Sequence, residues 1–271
     1  MIKFIKRVIT TAVGAVSLIF TFVPETFFGK YKFFPDVSDE VNIIVNRVLL
    51  FFAVIALIAI GYAIYLWCRK SVNIRGKNYN IKISYGDIFD IPESKKVIPF
   101  DECFTTEVGQ APAQVKPSSV CGQYLSRYPI DDICAIIEKT QIKPCKGKSK
   151  YNNQDRYESG RLVPNGDYLL MAFAKLDKDG LGRMTRDEYL DCLTILWREI
   201  DKHYGQTDVC IPILGSGITR LGDNALTQQE LLDMIIGSYK LSADKIKMPA
   251  TLHIVCKRRS DFSLNKIGEH L

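Results

Sequence analysis

Apolar residues are distributed differently before and after residue 70. Two long apolar runs come first, and short apolar runs alternating with amphipathic segments follow. The longer run covers residues 48–67 and holds no charged residue. A helix of that length spans about 30 Å, the thickness of the hydrocarbon core of a bilayer. The pattern predicts a transmembrane helix at about 46–68.

The earlier apolar run covers residues 8–23 and contains threonine, serine and glycine. Basic residues precede it, an order that a secretory signal peptide also has. No small-x-small cleavage site follows it, however, and Phe27 and Phe28 lengthen the apolar segment. We expect a first membrane helix at about 8–28, with a signal peptide as the alternative.

Basic residues flank the two predicted helices on the same side. Three precede the first helix and four follow the second, whereas the link between them mixes both signs. The positive-inside rule then places both termini in the cytoplasm. We expect residues 1–70 to form a two-pass hairpin in the inner membrane. Asn42 and Asn46 would lie on outer turns of the second helix.

The second part of the chain, residues 72–271, is long enough for one sizeable core. Short apolar runs predict strands at 80–85, 96–100, 168–174, 209–214 and 251–257. Amphipathic segments predict helices at 130–140, 185–203 and 227–240. Strands that alternate with helices indicate an α/β fold with a mixed sheet covered by helices.

Charge and cysteine content narrow the choice of partners. The net charge is +6, and no long basic run with interleaved aromatic residues occurs, which argues against a nucleic-acid partner. The eight cysteines form no C-x-x-C pair and no zinc-like spacing with histidine. Scattered cysteines within apolar runs suit reduced thiols in the cytosol, although an even count leaves disulfides open.

One polar stretch, residues 177–188 (DKDGLGRMTRDE), is similar to a calcium-binding EF-hand loop. Asp177, Asp179 and Glu188 occupy ligand positions 1, 3 and 12, but Leu181 at position 5 offers no side-chain oxygen. The chain contains no second copy of the loop. We therefore expect no metal and favour a polar turn with Thr185 capping the next helix, with calcium binding as the alternative.

The stretch 211–222 (IPILGSGITRLG) runs from an apolar strand into Gly215, Ser216 and Gly217. Small residues let backbone amides approach a ligand closely, and such a turn can cradle a phosphate. An ordinary strand-to-helix turn is the alternative.

Three segments in order carry a family resemblance: 81–91 (IKISYGDIFDI), 95–109 (KKVIPFDECFTTEVG) and 209–222. Together they resemble the macro domain, a three-layer α-β-α fold that binds ADP-ribose and its relatives. With two membrane helices in front, the architecture is similar to the membrane-anchored macro effectors of Thoeris anti-phage defence. The resemblance implies a cytosolic macro-like domain over residues 72–271.

The resemblance also implies roles for individual residues. Asp87 would accept a hydrogen bond from the adenine amino group, with the Ile88 amide at a ring nitrogen, although Asp87 could equally cap a turn. The far ribose side would be lined by Phe100, Asp101 and Thr105. The diphosphate would be held by the glycine-rich loop, namely Gly215, Ser216, Gly217, Ile218, Thr219 and Arg220.

Catalysis is doubtful on the same comparison. Hydrolases of the macro fold commonly carry an Asn-Ala-Ala-Asn segment and a glycine run, and the corresponding stretch here is PFDECFTTEVGQ. Asp101 could activate water, but nothing in the sequence positions it. The three histidines lie in no recognisable nucleophile motif. We expect a receptor without catalytic residues or cofactor, whose ligand is an ADP-ribose derivative.

The resemblance implies a pathway as well. A TIR-domain protein would consume NAD and release a nucleotide signal, histidine-ADP-ribose. Binding would drive self-oligomerisation and disruption of membrane lipids, with Asn42 and Asn46 lining the defect, and the infected cell would die. The alternatives are a membrane-tethered ADP-ribosyl hydrolase, a calcium-responsive membrane protein and a plain anchored interaction module.

Overall fold

A computed structural model describes residues 2–30, 38–217, 219–222, 226–260 and 262–267. The chain divides into two compact units, Met1–Arg69 and Lys70–Leu271. Each unit has its own secondary structure.

The first unit is helical throughout its described residues. Its helices are α1 (Ile2–Phe22), α2 (Glu25–Phe28) and α3 (Asp39–Cys68). The expected bounds of 8–28 and 46–68 are therefore corrected: the first helix begins earlier and stops before Pro24, and the second begins directly after Ser38. Segment Phe4–Phe22 of α1 and the whole of α3 are long and apolar enough to cross a membrane.

Polar side chains of α3 face the inside of this unit. Asn42 is buried at 1% exposure, and the Asn46 side-chain amide donates to the Phe28 carbonyl at 2.6 Å. The Arg47 guanidinium lies 5.3 Å from the rings of both Phe20 and Phe28. Within the single chain both asparagine side chains are thus used inside the helical unit, and their expected place at a membrane defect stays a prediction.

The second unit combines nine strands, within its described residues, with four α-helices. The strands are β1 (Ser71–Arg75), β2 (Asn80–Tyr85), β3 (Ser94–Asp101), β4 (Leu162–Asn165), β5 (Tyr168–Leu176), β6 (Gly182–Met184), β7 (Asp208–Pro212), β8 (Arg220–Leu221) and β9 (Thr251–Cys256). The helices are α4 (Val120–Arg127), α5 (Ile133–Lys139), α6 (Arg186–His203) and α7 (Gln228–Leu241).

The strands form one mixed sheet in the order β1-β2-β9-β7-β3-β5-β6-β8, with β4 also paired to β5. Strands β2, β9, β7, β3 and β5 run parallel to one another. Strand β1 is antiparallel to β2, strands β4 and β6 are antiparallel to β5, and β8 is parallel to β6. The predicted mixed α/β sheet is confirmed. Strand β8, which was not predicted, lies between the glycine-rich loop and α7, and α7 begins at Gln228, in agreement with the predicted range 227–240.

Helices cover both faces of the central strands. Along β5, Leu169 and Met171 pack in the core that contains α6 and α7, whereas Leu170 and Ala172 pack with α4 and α5. A strand buried on both faces reads as a continuous apolar run, which is how β5 appears in the sequence. The result is the expected three-layer α-β-α arrangement.

The chain connections after the adjacent strands β3 and β7 lead to different next parallel strands. After β7 the chain first forms β8 beside β6 and then passes through α7 to β9, and after β3 it passes through α4 and α5 to β5. Ligands of open α/β sheets bind at the carboxyl ends of the parallel strands, where such connections begin. The topology thus fixes where a site can form.

Candidate ligand-binding site

A cavity of about 930 Å³ lies at the carboxyl ends of the five parallel strands. Each strand contributes residues at or just beyond its end. Pockets for small organic ligands have volumes of roughly 300–1,000 Å³, so the cavity has room for a nucleotide-sized molecule. The contributing residues are Gly86 and Asp87 after β2, Lys257 after β9, Ile213 after β7, Asp101 at the end of β3 and Leu176 at the end of β5.

The structure brings most of the predicted site residues to this cavity. The predicted residues that line it are Asp87, Ile88, Phe100, Asp101, Gly215, Ser216, Gly217, Thr219 and Arg220. Thr105 is not part of the lining. Ile218 lies outside the described residues.

Asp87 caps the short 3₁₀ turn Ile88–Asp90. Its Oδ1 atom accepts the Phe89 amide at 3.1 Å, and its Oδ2 atom lies 3.8 Å from the Arg127 guanidinium. Arg127 in turn stacks over the Phe89 ring at 4.2 Å. The carboxylate is half-exposed at the cavity wall, so the capping role leaves acceptor capacity on Oδ2 for a ligand.

The glycine-rich loop is braced from within and open towards the cavity. The Ser216 hydroxyl donates to the Ile213 carbonyl at 2.7 Å, and the Tyr189 hydroxyl donates to the Leu214 carbonyl at 3.0 Å. Gly215 has φ of +78°, a left-handed conformation that suits glycine. A Cβ atom on Gly217 would meet nothing within 4 Å. The loop therefore presents backbone and free space rather than side chains.

Asp101 ends β3 at a bulge in its pairing with β5. Its Oδ1 atom accepts the amides of Cys103 at 2.8 Å and of Thr105 at 3.2 Å. Burial raises the pKa of the Asp101 carboxyl above its ordinary value, against the effect of the hydrogen bonds from Thr105. Thr105, expected to line the ribose side, instead holds the backbone turn around this carboxylate.

Several lining segments were not found from the sequence. Loop 110–116 and the first turn of α4 form one wall, and the turn 180–182 forms another. The start of α4 could have been predicted, because Pro117 followed by serines is a typical helix start. In the structure Ser119 caps the helix by accepting the Gly122 amide at 3.0 Å. The turn 180–182 and Lys257 reach the cavity wall only through packing between distant parts of the chain, which the sequence does not indicate.

The stretch that resembles an EF-hand has a different structure. Strand β5, not a helix, enters it. The Asp177 carboxylate accepts the amides of Asp179 at 3.0 Å and Leu181 at 2.9 Å and pairs with Arg183 at 2.5 Å. Glu188 forms a capping box with Thr185. Among the described residues, no group of three or more His, Cys, Asp and Glu side chains could hold a metal ion.

Charges around the cavity favour an anionic ligand. Among the described lining residues, four cations outnumber two carboxylates; the cations are Lys116, Arg220, Lys257 and Arg259, and the carboxylates are Asp87 and Asp101. A concave surface of one prevailing sign attracts ligands of the opposite sign. Cys121 also lines the cavity, but burial holds the pKa of its thiol well above the usual range, so it is no nucleophile.

A family model described as Thoeris protein ThsA, Macro domain, matches residues 81–257, the segment that carries the parallel strands and the cavity. The chain belongs to the Thoeris ThsA macro-domain family. The Thoeris protein ThsA of Bacillus amyloliquefaciens (strain Y2) is 28% identical over 265 residues, which cover 93% of this chain and 86% of the relative. The resemblance seen in the sequence is thereby confirmed, and its extent includes most of the N-terminal helical unit.

Solved macrodomains show similarity at low sequence identity. A variant of the Oceanobacillus iheyensis macrodomain with ADPR is 11% identical, with a TM-score of 0.44, over 70% of this chain and 92% of its own. The macrodomain of Thermus aquaticus DarG is 13% identical, with a TM-score of 0.38, over 65% of this chain and 97% of its own.

Proposed function

We propose that this member of the Thoeris ThsA family is an anti-phage defence effector whose macro domain is the receptor for an ADP-ribose-type nucleotide. The observation that carries the proposal is the cavity itself. It lies at the carboxyl ends of the parallel strands, has a volume of about 930 Å³, is lined by more cations than carboxylates, and has open space at Gly217. A diphosphate needs backbone donors and positive charge, and this edge of the sheet offers both.

The ligand is proposed to lie across the strand ends. Asp87 follows β2, the glycine-rich loop follows β7 and Asp101 ends β3, so these groups are spread over three strand spacings, about 14 Å. Adenine would lie at Asp87 and Ile88, the diphosphate along residues 215–219, and the far ribose near Phe100 and Asp101. An elongated dinucleotide-like molecule suits this order better than a mononucleotide.

Binding without turnover is the proposed mode. The Asp101 carboxyl is held by the amides of Cys103 and Thr105 and by the Thr105 side chain, and burial raises its pKa. No histidine lies among the described lining residues, and the Cys121 thiol stays protonated. Slow ADP-ribosyl hydrolysis through Asp101 is the second candidate, because a carboxyl with a raised pKa at a cavity wall is a possible general base or acid.

The N-terminal unit is proposed to be the output element. Its two apolar helices would span the inner membrane, with both termini in the cytoplasm. Nucleotide from a TIR-domain protein, histidine-ADP-ribose, would promote assembly of several copies and disrupt the bilayer. A ligand shifts such an equilibrium only if it binds the assembled state more tightly. Asn42 and Asn46 are used inside the helical unit. Contact between copies is therefore proposed on the exposed face of α1 that carries the hydroxyl groups of Thr10, Ser17 and Thr21.

Dye release from liposomes tests this function. The full chain is reconstituted into vesicles of bacterial lipids that contain a quenched dye, and ADP-ribose or histidine-ADP-ribose is added. We expect release with a nucleotide and none with the Gly217→Leu variant. Binding without release would favour a plain anchored interaction module.

Chromatography of the nucleotide after incubation separates receptor from hydrolase. A receptor leaves the added nucleotide intact, whereas conversion to ADP-ribose and free amino acid would identify a hydrolase.

The calcium alternative is tested by adding calcium to the dye-loaded vesicles. Release that depends on calcium and not on nucleotide would contradict the proposal.

A further inference from the structure

A loop with several internal hydrogen bonds lines one side of the cavity. This roof loop, residues 107–116, follows the end of β3. The Gln114 side chain ties it together, since its amide nitrogen donates to Glu107 Oε1 at 2.6 Å and its oxygen accepts the Ala111 amide at 2.9 Å. The Lys116 ammonium donates to the carbonyls of Gln110 and Ala111. These bonds make the loop a preformed unit rather than a loose connection.

The roof loop is joined to the turn 177–182 by a backbone hydrogen bond. The Ala113 amide donates to the Gly180 carbonyl at 2.8 Å. Residues 110–116 and residues 180–182 all line the cavity. The bond therefore connects two walls of the cavity. The turn itself is fixed by the Asp177 carboxylate, which accepts the Leu181 amide.

The connection depends on the absence of a side chain at Gly180. A Cβ atom there would lie 2.6 Å from Ala113 Cβ and 3.0 Å from the Ala113 amide nitrogen, and it would also lie 3.0 Å from the Tyr151 ring. Distances this short require the roof loop to move away. Gly180 has φ of +75° and Ala113 has φ of +65°, so both partners adopt the left-handed conformation. A non-glycine residue keeps that conformation only where its surroundings fix it.

We infer that Gly180 is a positioning residue for the nucleotide, an inference that rests on the proposed function. By lacking a side chain it lets Ala113 dock, which holds the roof loop over the bound ligand. The bond contributes to retention of the nucleotide rather than to its recognition. A covered ligand must wait for the bond between Ala113 and Gly180 to open, so the bond slows dissociation more than it changes association.

Nucleotide dissociation from the full chain in detergent tests the inference. Gly180→Ala is compared with Gly166→Ala, because Gly166 has φ of +62° and nothing within 4 Å of a built Cβ. Both variants carry left-handed alanine, but only Gly180→Ala collides with the roof loop. We expect ADP-ribose to dissociate about three- to tenfold faster from Gly180→Ala, the effect of losing one hydrogen bond. Equal rates in the two variants would overturn the inference.

Hydrogen exchange of the ligand-free chain gives a test that needs no nucleotide. The Ala113 amide is expected to exchange slowly in the wild type and in Gly166→Ala, and fast in Gly180→Ala. Fast exchange at Ala113 in the wild type would contradict the docked roof loop even if Gly180→Ala failed to fold. Protected exchange in a chain that binds no ADP-ribose would refute the proposed function and leave the docked roof loop standing.

Discussion

Asp101 and Glu102 are consecutive, yet only the Asp101 carboxylate lines the cavity. Glu102 is 2% exposed, and its Oε1 atom accepts the Ser149 hydroxyl at 2.6 Å and the Leu176 amide at 3.1 Å. A bulge in the pairing of β3 with β5 lies directly before these two residues, between Phe100 and Asp101. The end of β3 thus supplies two different groups: the Asp101 carboxylate at the cavity, and the Glu102 carboxylate that holds Ser149 and Leu176.

Replacing Glu102 with alanine should destabilise the second unit strongly. The change removes the acceptor of the Ser149 hydroxyl and of the Leu176 amide, and it removes the carboxylate that pairs with Arg156 at 3.5 Å. Losing one member of a buried charged network costs about 3 kcal/mol in the free energy of unfolding. Denaturant titration of the full chain in detergent measures it. Glu158→Ala is the control, because that carboxylate is 51% exposed and pairs with Arg161 at the surface, and it should cost about 1 kcal/mol or less.

Asp101→Asn should make the protein more stable at neutral pH. Burial raises the pKa of this carboxyl in the folded state, so its contribution to stability is present at low pH and is lost as pH rises through the folded pKa. Asparagine keeps the oxygen that accepts from Cys103 and Thr105. The advantage of the variant over the wild type should shrink as pH falls towards about 4, the ordinary pKa of aspartate. Thermal unfolding at several pH values checks it.

Asp177→Asn is the matched control for Asp101→Asn, and we expect it to change the stability at neutral pH in the opposite direction. The backbone hydrogen bond from Leu181, helped by Arg183, lowers the pKa of the Asp177 carboxyl. Its contribution to stability is therefore present at neutral pH and lost as pH falls through the folded pKa. The variant should be less stable than the wild type at neutral pH and approach it in acid. The same sign for both variants would contradict the assigned environments.

Asp87→Ala should weaken nucleotide binding beyond its effect on folding. The variant loses the Phe89 cap and the acceptor proposed for adenine, and loss of a cap costs about 1 kcal/mol. Asp132→Ala is the control, because Asp132 caps α5 by accepting the Ala135 amide at 3.0 Å and does not line the cavity. Fluorescence titration with ADP-ribose compares the two. Equal affinities would remove Asp87 from the site.

Gly217→Leu should block binding while the protein stays folded. A Cβ atom at this position meets nothing within 4 Å and Gly217 lines the cavity, so we expect the added side chain to occupy space that the ligand needs. Gly237→Leu on α7 is the control, because it also meets nothing within 4 Å and lies away from the cavity. Thermal unfolding should show near wild-type stability for both variants, and only Gly217→Leu should lose the shift that ADP-ribose causes. An ADP-ribose shift retained by Gly217→Leu would place the ligand elsewhere.

The central strands and the glycine-rich loop were predictable because their patterns are local. Segments with β-branched residues mark β2, β7 and β9, a continuous apolar run marks β5, and Gly215 to Gly217 follow the apolar run of β7. Strands β1, β4, β6 and β8 were missed because two to five residues carry too little pattern. The roof loop was also missed, since its docking joins Ala113 to Gly180 across 67 positions of sequence.

The N-terminal helices show a second limit of prediction from the sequence. Residues of α3 from 48 onwards are apolar on all sides, so the sequence alone does not indicate which side of α3 meets α1. The contacts of Asn46 were not predictable from composition, because its partner, the Phe28 carbonyl, belongs to a neighbouring helix whose position only the folded structure gives.

Isothermal titration calorimetry with the full chain in detergent tests the central claim most directly. ADP-ribose and AMP are titrated into the wild type and into Gly217→Leu. We predict saturable 1:1 binding of ADP-ribose to the wild type, weaker binding of AMP because it reaches only part of the crevice, and no binding to the variant. Absence of heat from ADP-ribose in the wild type, or undiminished heat in Gly217→Leu, would contradict a nucleotide site at this edge of the sheet.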